Sequence, residues 1–310
     1  MIGEKLGQYT ILEIVGSGGM GTVYKAEDSE GQLVALKLVR SHVLCSMEKR
    51  ERFLQCLLAA SEIRHEGICP ILEIGDDNDD FFVIMPFIHG KTLAQHTEKR
   101  PIPWPQALNI SLAVASALEF IHDAGTAHGG LKPGNIWMVG DRERTVLLSD
   151  CCISRFMEIA KRDKNRSCDF GMDFADTRIP LRAFAYMSPE QVLGDPVDYR
   201  TDIFSFGVVL YEMLSGSHPF DARSSLSRIR AILEAEPASL ISRQSSIPLQ
   251  MDSIIRKALA KKREERHQSI RQLMEDLRSL RQKAANDSMP SPTTSRIRKW
   301  FSPHFWAIRK

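Results

Sequence analysis

A small β-rich lobe followed by a larger helical lobe, an α+β arrangement with a cleft between, is the fold class this sequence predicts. Three observations carry it. Short runs of alternating or clustered β-branched residues fill the first 90 residues, and helical spacing takes over after residue 105. A glycine-rich turn, GSGGMG at 16–21, parts two of the early strands. The chain has 310 residues, more than the ~50–250 of a usual single domain, so two lobes fit.

In order, YTILEIV, TVYKAE and QLVALKLVR read as strands, with GSGGMG and DSEGQ as turns. Residues 47–64, MEKRERFLQCLLAASEIR, place apolar residues at helical spacing. ICPILEIG and FFVIMPFI follow as two more strands, parted by the acidic turn DDNDD. Five strands and one helix thus make a first lobe over residues 1–88. The second lobe, 89–282, opens on an apolar helix over 105–124 that Gly125 ends. Further helices are expected over 201–216, near 225–235, near 250–260 and over 270–282. Residues 284–295, AANDSMPSPTTS, are rich in Pro, Ser and Thr, so 283–310 reads as a flexible linker and tail.

Composition excludes several classes. Hydrophobic residues at 43% and charged residues at 26% are ordinary for a globular protein. A net charge of +2 is too small to imply a nucleic-acid partner. The segment 296–310 carries Arg296, Arg298, Lys299, Arg309 and Lys310 and no acid, leaving about −3 (2 minus 5) elsewhere. The six cysteines form no C-x-x-C pair and MIGEKLGQYT is no signal peptide, so reduced thiols in a cytoplasm are expected. The apolar run FFVIMPFI is far short of the ~20 residues a membrane span needs.

The motifs narrow the chemistry. GSGGMG fits G-x-G-x-x-G, and Val23 extends it to G-x-G-x-x-G-x-V. Lying between two strands, it argues against a dinucleotide fold, where a helix would follow. Glycines let backbone approach phosphates closely, and a cation on the next strand, Lys37 of VALK, adds a point charge. With VGSGGMGTVYKAED, VALKLV, LKPGN, YMSPEQ and TDIFSFGVVLYEMLSGSHPF in this order, residues 8–282 resemble a bacterial Ser/Thr protein kinase of the eukaryotic-like type. The expected fold is accordingly bilobal and protein-kinase-like.

What the resemblance implies can be placed residue by residue. Gly16, Gly18, Gly21 and Lys37 would meet nucleotide phosphates; Lys132 would contact the transferred phosphate. Asn135 and Asp150 would hold Mg²⁺. A literal DFG at 169–171 is set aside, because KRDKNRSC before it is too polar for a buried strand, whereas TVLLSD delivers Asp150. Val23 and Ala35 would roof the base, with Met85 as gatekeeper and Ile88 as the hinge N–H donor. Trp137 would form the floor, either stacking on adenine or filling the slot.

Four departures fall on catalytic positions. Gly130 stands where an Asp base belongs, in AHGGLKPGN, and a positioned base contributes about 10²–10⁴-fold. Gly129 replaces the Arg that would answer an activation-loop phosphate. Cys56 stands where a helix Glu would pair with Lys37, and a neutral thiol forms no ion pair. Ala183 replaces the Thr that tethers the base. Frame residues persist: by the resemblance, Glu190 and Arg266 would form a buried ion pair, and Asp202 would accept from the catalytic-loop N–H groups.

The resemblance therefore implies a catalytically impaired pseudokinase, a regulator or scaffold acting on another protein, with ATP and Mg²⁺ bound weakly or not at all. The alternative is an active but slow Ser/Thr kinase. The basic-aromatic tail, RIRKWFSPHFWAIRK, is read either as a disordered or lobe-docked end, or as a dock for a membrane surface or acidic partner.

Overall fold

Alternating side chains build the first lobe around a single antiparallel sheet. In this computed structural model, which describes residues 1–18, 21–39, 47–77, 80–98, 100–140, 145–151 and 185–287, its strands are β1 (Lys5–Leu6), β2 (Tyr9–Ser17), β3 (Gly21–Glu27), β4 (Leu33–Val39), β5 (Glu73–Asp77) and β6 (Asp80–Pro86). Their order is β1-β2-β3-β4-β6-β5. One face, with Tyr9, Ile11, Tyr24, Leu36 and Ile84, closes on itself as a small core. The other receives helix α1 (Met47–Ser61), whose Phe53, Leu57 and Ala60 recur at helical spacing and pack with Val39, Phe81, Val83 and Met85.

Two expectations need correcting. The sheet has six described strands, because the two-residue β1 is too short to leave a periodic signal. ICPILEIG is a strand only from Glu73 onward. Pro70 cannot donate to a ladder, and the segment before β5 turns to the other lobe instead: the Cys69 N–H donates to Leu148 at 2.8 Å and Ile68 bridges the same residue.

The second lobe starts from a small antiparallel sheet, β7 (Gly90–Thr92), β8 (Ile136–Val139) and β9 (Thr145–Leu148), in that order. Its helices are α2 (Leu93–Thr97), α3 (Trp104–Asp123), α4 (Pro189–Leu193), α5 (Arg200–Ser215), α6 (Ser225–Glu234), α7 (Leu240–Arg243), α8 (Leu249–Ala258) and α9 (Ile270–Asp287). α5 is mostly apolar and lies buried on every side from Thr201 to Tyr211, as the central pillar. α3 crosses it, and α9 clasps α3 through Arg271, which bonds Glu119 at 2.6 Å.

α2, α4 and α7 have four or five residues, below what periodicity can report. α2 and α4 are held by capping boxes, Thr92 with Gln95 and Ser188 with Gln191. α9 runs to Asp287, past the expected end at 282 and into the stretch read as linker, since Ala284 and Ala285 are strong helix formers. Among the described residues no helix is long and apolar enough to cross a membrane. Residues 296–310 lie outside the described residues.

Candidate nucleotide and phosphotransfer site

Strand register gathers the roof of the site. Val23 pairs with Lys37, Ala35 with Met85, and Lys37 with Val83, so Val23, Ala35, Lys37 and Met85 share one face of the sheet. That face is the one turned toward the second lobe's core, where Met85 is 6% exposed. Ile88, two residues past β6, is half-buried. The Gly18 N–H donates to the Gly21 carbonyl at 2.9 Å to close the glycine turn. A Cβ on Gly21 would sit 2.0 Å from the Leu38 carbonyl oxygen, so the β3–β4 pairing itself demands that glycine. Gly16 and Gly18 face open space, with nothing within 4 Å of an added Cβ.

Lys37 is buried and its Nζ lies 2.7 Å from Asp150 Oδ1, which spans the two lobes. Cys56 sits half-buried on α1 between Phe53 and Leu57. The ion-pair partner of Lys37 is thus Asp150, not a side chain of α1. Burial alone would raise the Asp150 carboxyl; the bonded Lys37 ammonium, then Lys132, outweigh it and hold the group below the ordinary carboxylate range. Asp150 also has φ +62°, a left-handed backbone that non-glycine residues rarely adopt. Neighbouring Cys69 is pushed up to about 12 by burial and by the Asp150 charge, so it is an inert thiol at neutral pH. Cys151 is buried as a small apolar side chain; Cys152, Asp169 and Ala183 lie outside the described residues.

Asp202, on the first turn of α5, organises the loop 128–135. Its Oδ2 accepts from the His128 N–H (2.7 Å) and His122 Nε2 (2.9 Å), its Oδ1 from the Gly129 N–H (2.8 Å). Burial raises the Asp202 carboxyl, but His122 and the Gly129 N–H hold it low. His128 is fully buried, its Nδ1 accepts from the Gly130 N–H and its Nε2–H donates to the Ser149 carbonyl. An N–H can only donate and a carbonyl only accept, so this imidazole is neutral, matching the downward push of burial on its pKa.

Gly129 has φ +71°, and its carbonyl accepts from Gln191 of α4 at 3.0 Å. An Arg at 129 would have to adopt that left-handed backbone. Gly130 is not among the positive-φ residues. Its carbonyl accepts from Asn135 Nδ2 at 3.0 Å, a bond that turns the amide's acceptor edge away from Gly130. Lys132 is exposed on the same loop. Trp137 lies half-buried on β8, and its Nε1 donates to Ser149 Oγ at 3.1 Å. Sequence reasoning missed Ser149, Gln191 and His122, because each acts through a contact far along the chain or across a hairpin.

The frame pair is bidentate: Arg266 gives Nη1 to Glu190 Oε1 at 2.7 Å and Nη2 to Oε2 at 2.8 Å. The remaining guanidinium hydrogens reach the Ala260, Arg200 and Lys261 carbonyls. Nearby, His218 Nε2–H donates to the Ala185 carbonyl and Nδ1 accepts from the Phe220 N–H, again a neutral ring. Burial, then the Arg228 charge, lowers its pKa to about 4. Between pH 6.5 and 4 the unfolded chain binds a proton that the folded chain refuses, so stability falls as pH falls through this window. His218→Gln should remove up to about 3 kcal/mol of that loss, measured by urea unfolding at pH 7 and pH 4.5.

Nucleotide and magnesium suit this donor set in one sense. Mg²⁺ is held by one or two carboxylates together with substrate phosphates and waters. Asp150 supplies such a carboxylate and the Asn135 amide a second, neutral oxygen, while among the described residues no three His, Cys, Asp or Glu form a cage. The residues fit an ion that arrives with phosphate.

The protein kinase domain family model matches residues 9–277. A probable serine/threonine-protein kinase of Clostridium perfringens is 32% identical over 91% of this chain. Serine/threonine-protein kinase PrkC of Bacillus subtilis is 30% identical over 90% of it. The chain spans only 39% and 41% of those two relatives. The Mycobacterium tuberculosis PknI kinase domain superposes with a TM-score of 0.70 at 22% identity, covering 91% of this chain and 99% of that one, which speaks to fold alone. A family model matched over residues 9–277 and a relative 32% identical over 91% of the chain together show that the chain belongs to the protein kinase family.

Proposed function

We propose that this chain is a nucleotide-binding regulator of kinase fold whose phosphoryl transfer is strongly attenuated, acting on another protein. The observation that carries the reading is Gly130, which itself offers no side chain to deprotonate and aim an acceptor hydroxyl. Lys37 adds to it. With Cys56 on α1, the ammonium is neutralised by Asp150, so a phosphate and a metal must compete with a bond already made. Lys37, Lys132, Asn135 and Asp150 would hold ATP with Mg²⁺, which supply the transferable phosphoryl group and its charge neutralisation. Val23, Ala35, Met85, Ile88 and Trp137 would enclose the base.

A second reading, a slow but active Ser/Thr kinase, is favoured by the same cations and by Asp150 being kept ionised. Phosphoryl transfer rests mainly on positioning and electrostatics, and those parts remain. One experiment separates the two. ATP with Mg²⁺ at 100 times its dissociation constant should stabilise the protein by about 2.7 kcal/mol, and Lys37→Met should abolish most of that shift. Labelled γ-phosphate should move to protein substrates far below the ~1–100 s⁻¹ of ordinary kinases. Transfer at that ordinary rate, lost in Lys37→Met, would overturn the attenuated reading.

A further inference from the structure

We propose that Ser149 is a positioning residue, its hydroxyl holding the Trp137 indole in place as a stacking platform for a purine base. The inference rests on the nucleotide-binding reading above and deepens it. An indole N–H can only donate, and a half-buried one needs an acceptor. Ser149 supplies it from an immobile backbone. Its N–H donates to the Asn135 carbonyl at 2.9 Å and its own carbonyl accepts from His128 at 3.1 Å. At the other end the Trp137 backbone is fixed between Thr92 of β7 and Leu147 of β9. A side chain bonded at its ring nitrogen has less rotamer freedom left to lose.

The face matters as much. Along β8, Ile136 and Met138 are buried, whereas Trp137 and Val139 lie on the half-exposed side that Leu147 shares. The bond to Ser149 therefore ties the ring to the second lobe's own sheet. Aromatic rings bind bases through their π faces, and a bicyclic purine overlaps an indole more fully than a pyrimidine does. Pre-ordering the ring removes an ordering cost that a free Trp would meet on binding.

The test uses the full chain, with ADP and inorganic tripolyphosphate as probes, each with Mg²⁺. The Trp137 signal is the fluorescence difference between each protein and its Trp137→Leu counterpart. Ser149→Ala should make that signal more open to acrylamide quenching and weaken ADP about fivefold, the worth of one hydrogen bond, while tripolyphosphate binding stays unchanged. Ser149→Thr, which keeps the hydroxyl, should restore both. Ser149→Cys, close in size and a poor acceptor, gives the same readout should the alanine variant not fold. Unchanged quenching overturns the lock while leaving nucleotide binding intact. Equal loss of ADP and tripolyphosphate overturns it too, placing the effect at Asn135 and Asp150. Parent protein that binds tripolyphosphate as tightly as ADP removes the platform alone; binding neither removes the platform and the nucleotide reading together.

Discussion

Arg266→Ala should lower the unfolding free energy by about 3–5 kcal/mol, the loss expected when one half of a buried ion pair is removed. Glu190 would be left charged and dry, since both of its oxygens are bonded by that guanidinium. The Ala260, Arg200 and Lys261 carbonyls would lose their donor as well. Arg266→Lys keeps the charge but not the planar fork, so it should fall between the two. Replacing both partners, Arg266→Met with Glu190→Leu, should recover part of the loss because no orphaned charge remains. Urea unfolding at neutral pH checks all three. A loss below about 1 kcal/mol for Arg266→Ala would mean that the pair behaves like a solvated surface bridge.

Gly130→Asp should raise phosphoryl transfer by about 10²–10⁴-fold, the range a positioned base supplies. The backbone permits it: Gly130, unlike Gly129, is not in the left-handed region. The gained rate should depend on Lys37, so Lys37→Met in the same background should return it to the parent level. Transfer of labelled γ-phosphate to a generic protein substrate is the measurement. A gain below about tenfold would place the block at the Lys37–Asp150 bond instead. Adding Cys56→Glu then offers Lys37 a competing carboxylate, and a further gain would locate the obstacle there.

Much of this was legible along the chain. Strand and helix spacing drew both lobes, and ordered motifs singled out Lys37, Asn135, Asp150, Glu190, Asp202 and Arg266. The errors share a cause. β1, α2, α4 and α7 are shorter than the windows over which periodicity accumulates, and Pro70 broke a run that looked like uninterrupted strand. The glycines divide in the same way: sequence marks Gly21 as a phosphate contact, yet the approach of the Leu38 carbonyl already requires it.

Residue types and local spacing were enough to specify a two-lobed kinase fold and to reveal the vacancy at Gly130, because secondary structure and motif order are properties of neighbouring residues. Packing alone settled who answers Lys37. From sequence its counter-ion was missing, with Cys56 in place of a carboxylate; in the folded chain Asp150, 113 residues away, takes that role at 2.7 Å. The orientation of Trp137 was likewise open until β8 and β9 set Ser149 beside its ring. A charge leaving water takes whatever opposite charge the closed lobes bring within reach, and no local periodicity encodes that distance.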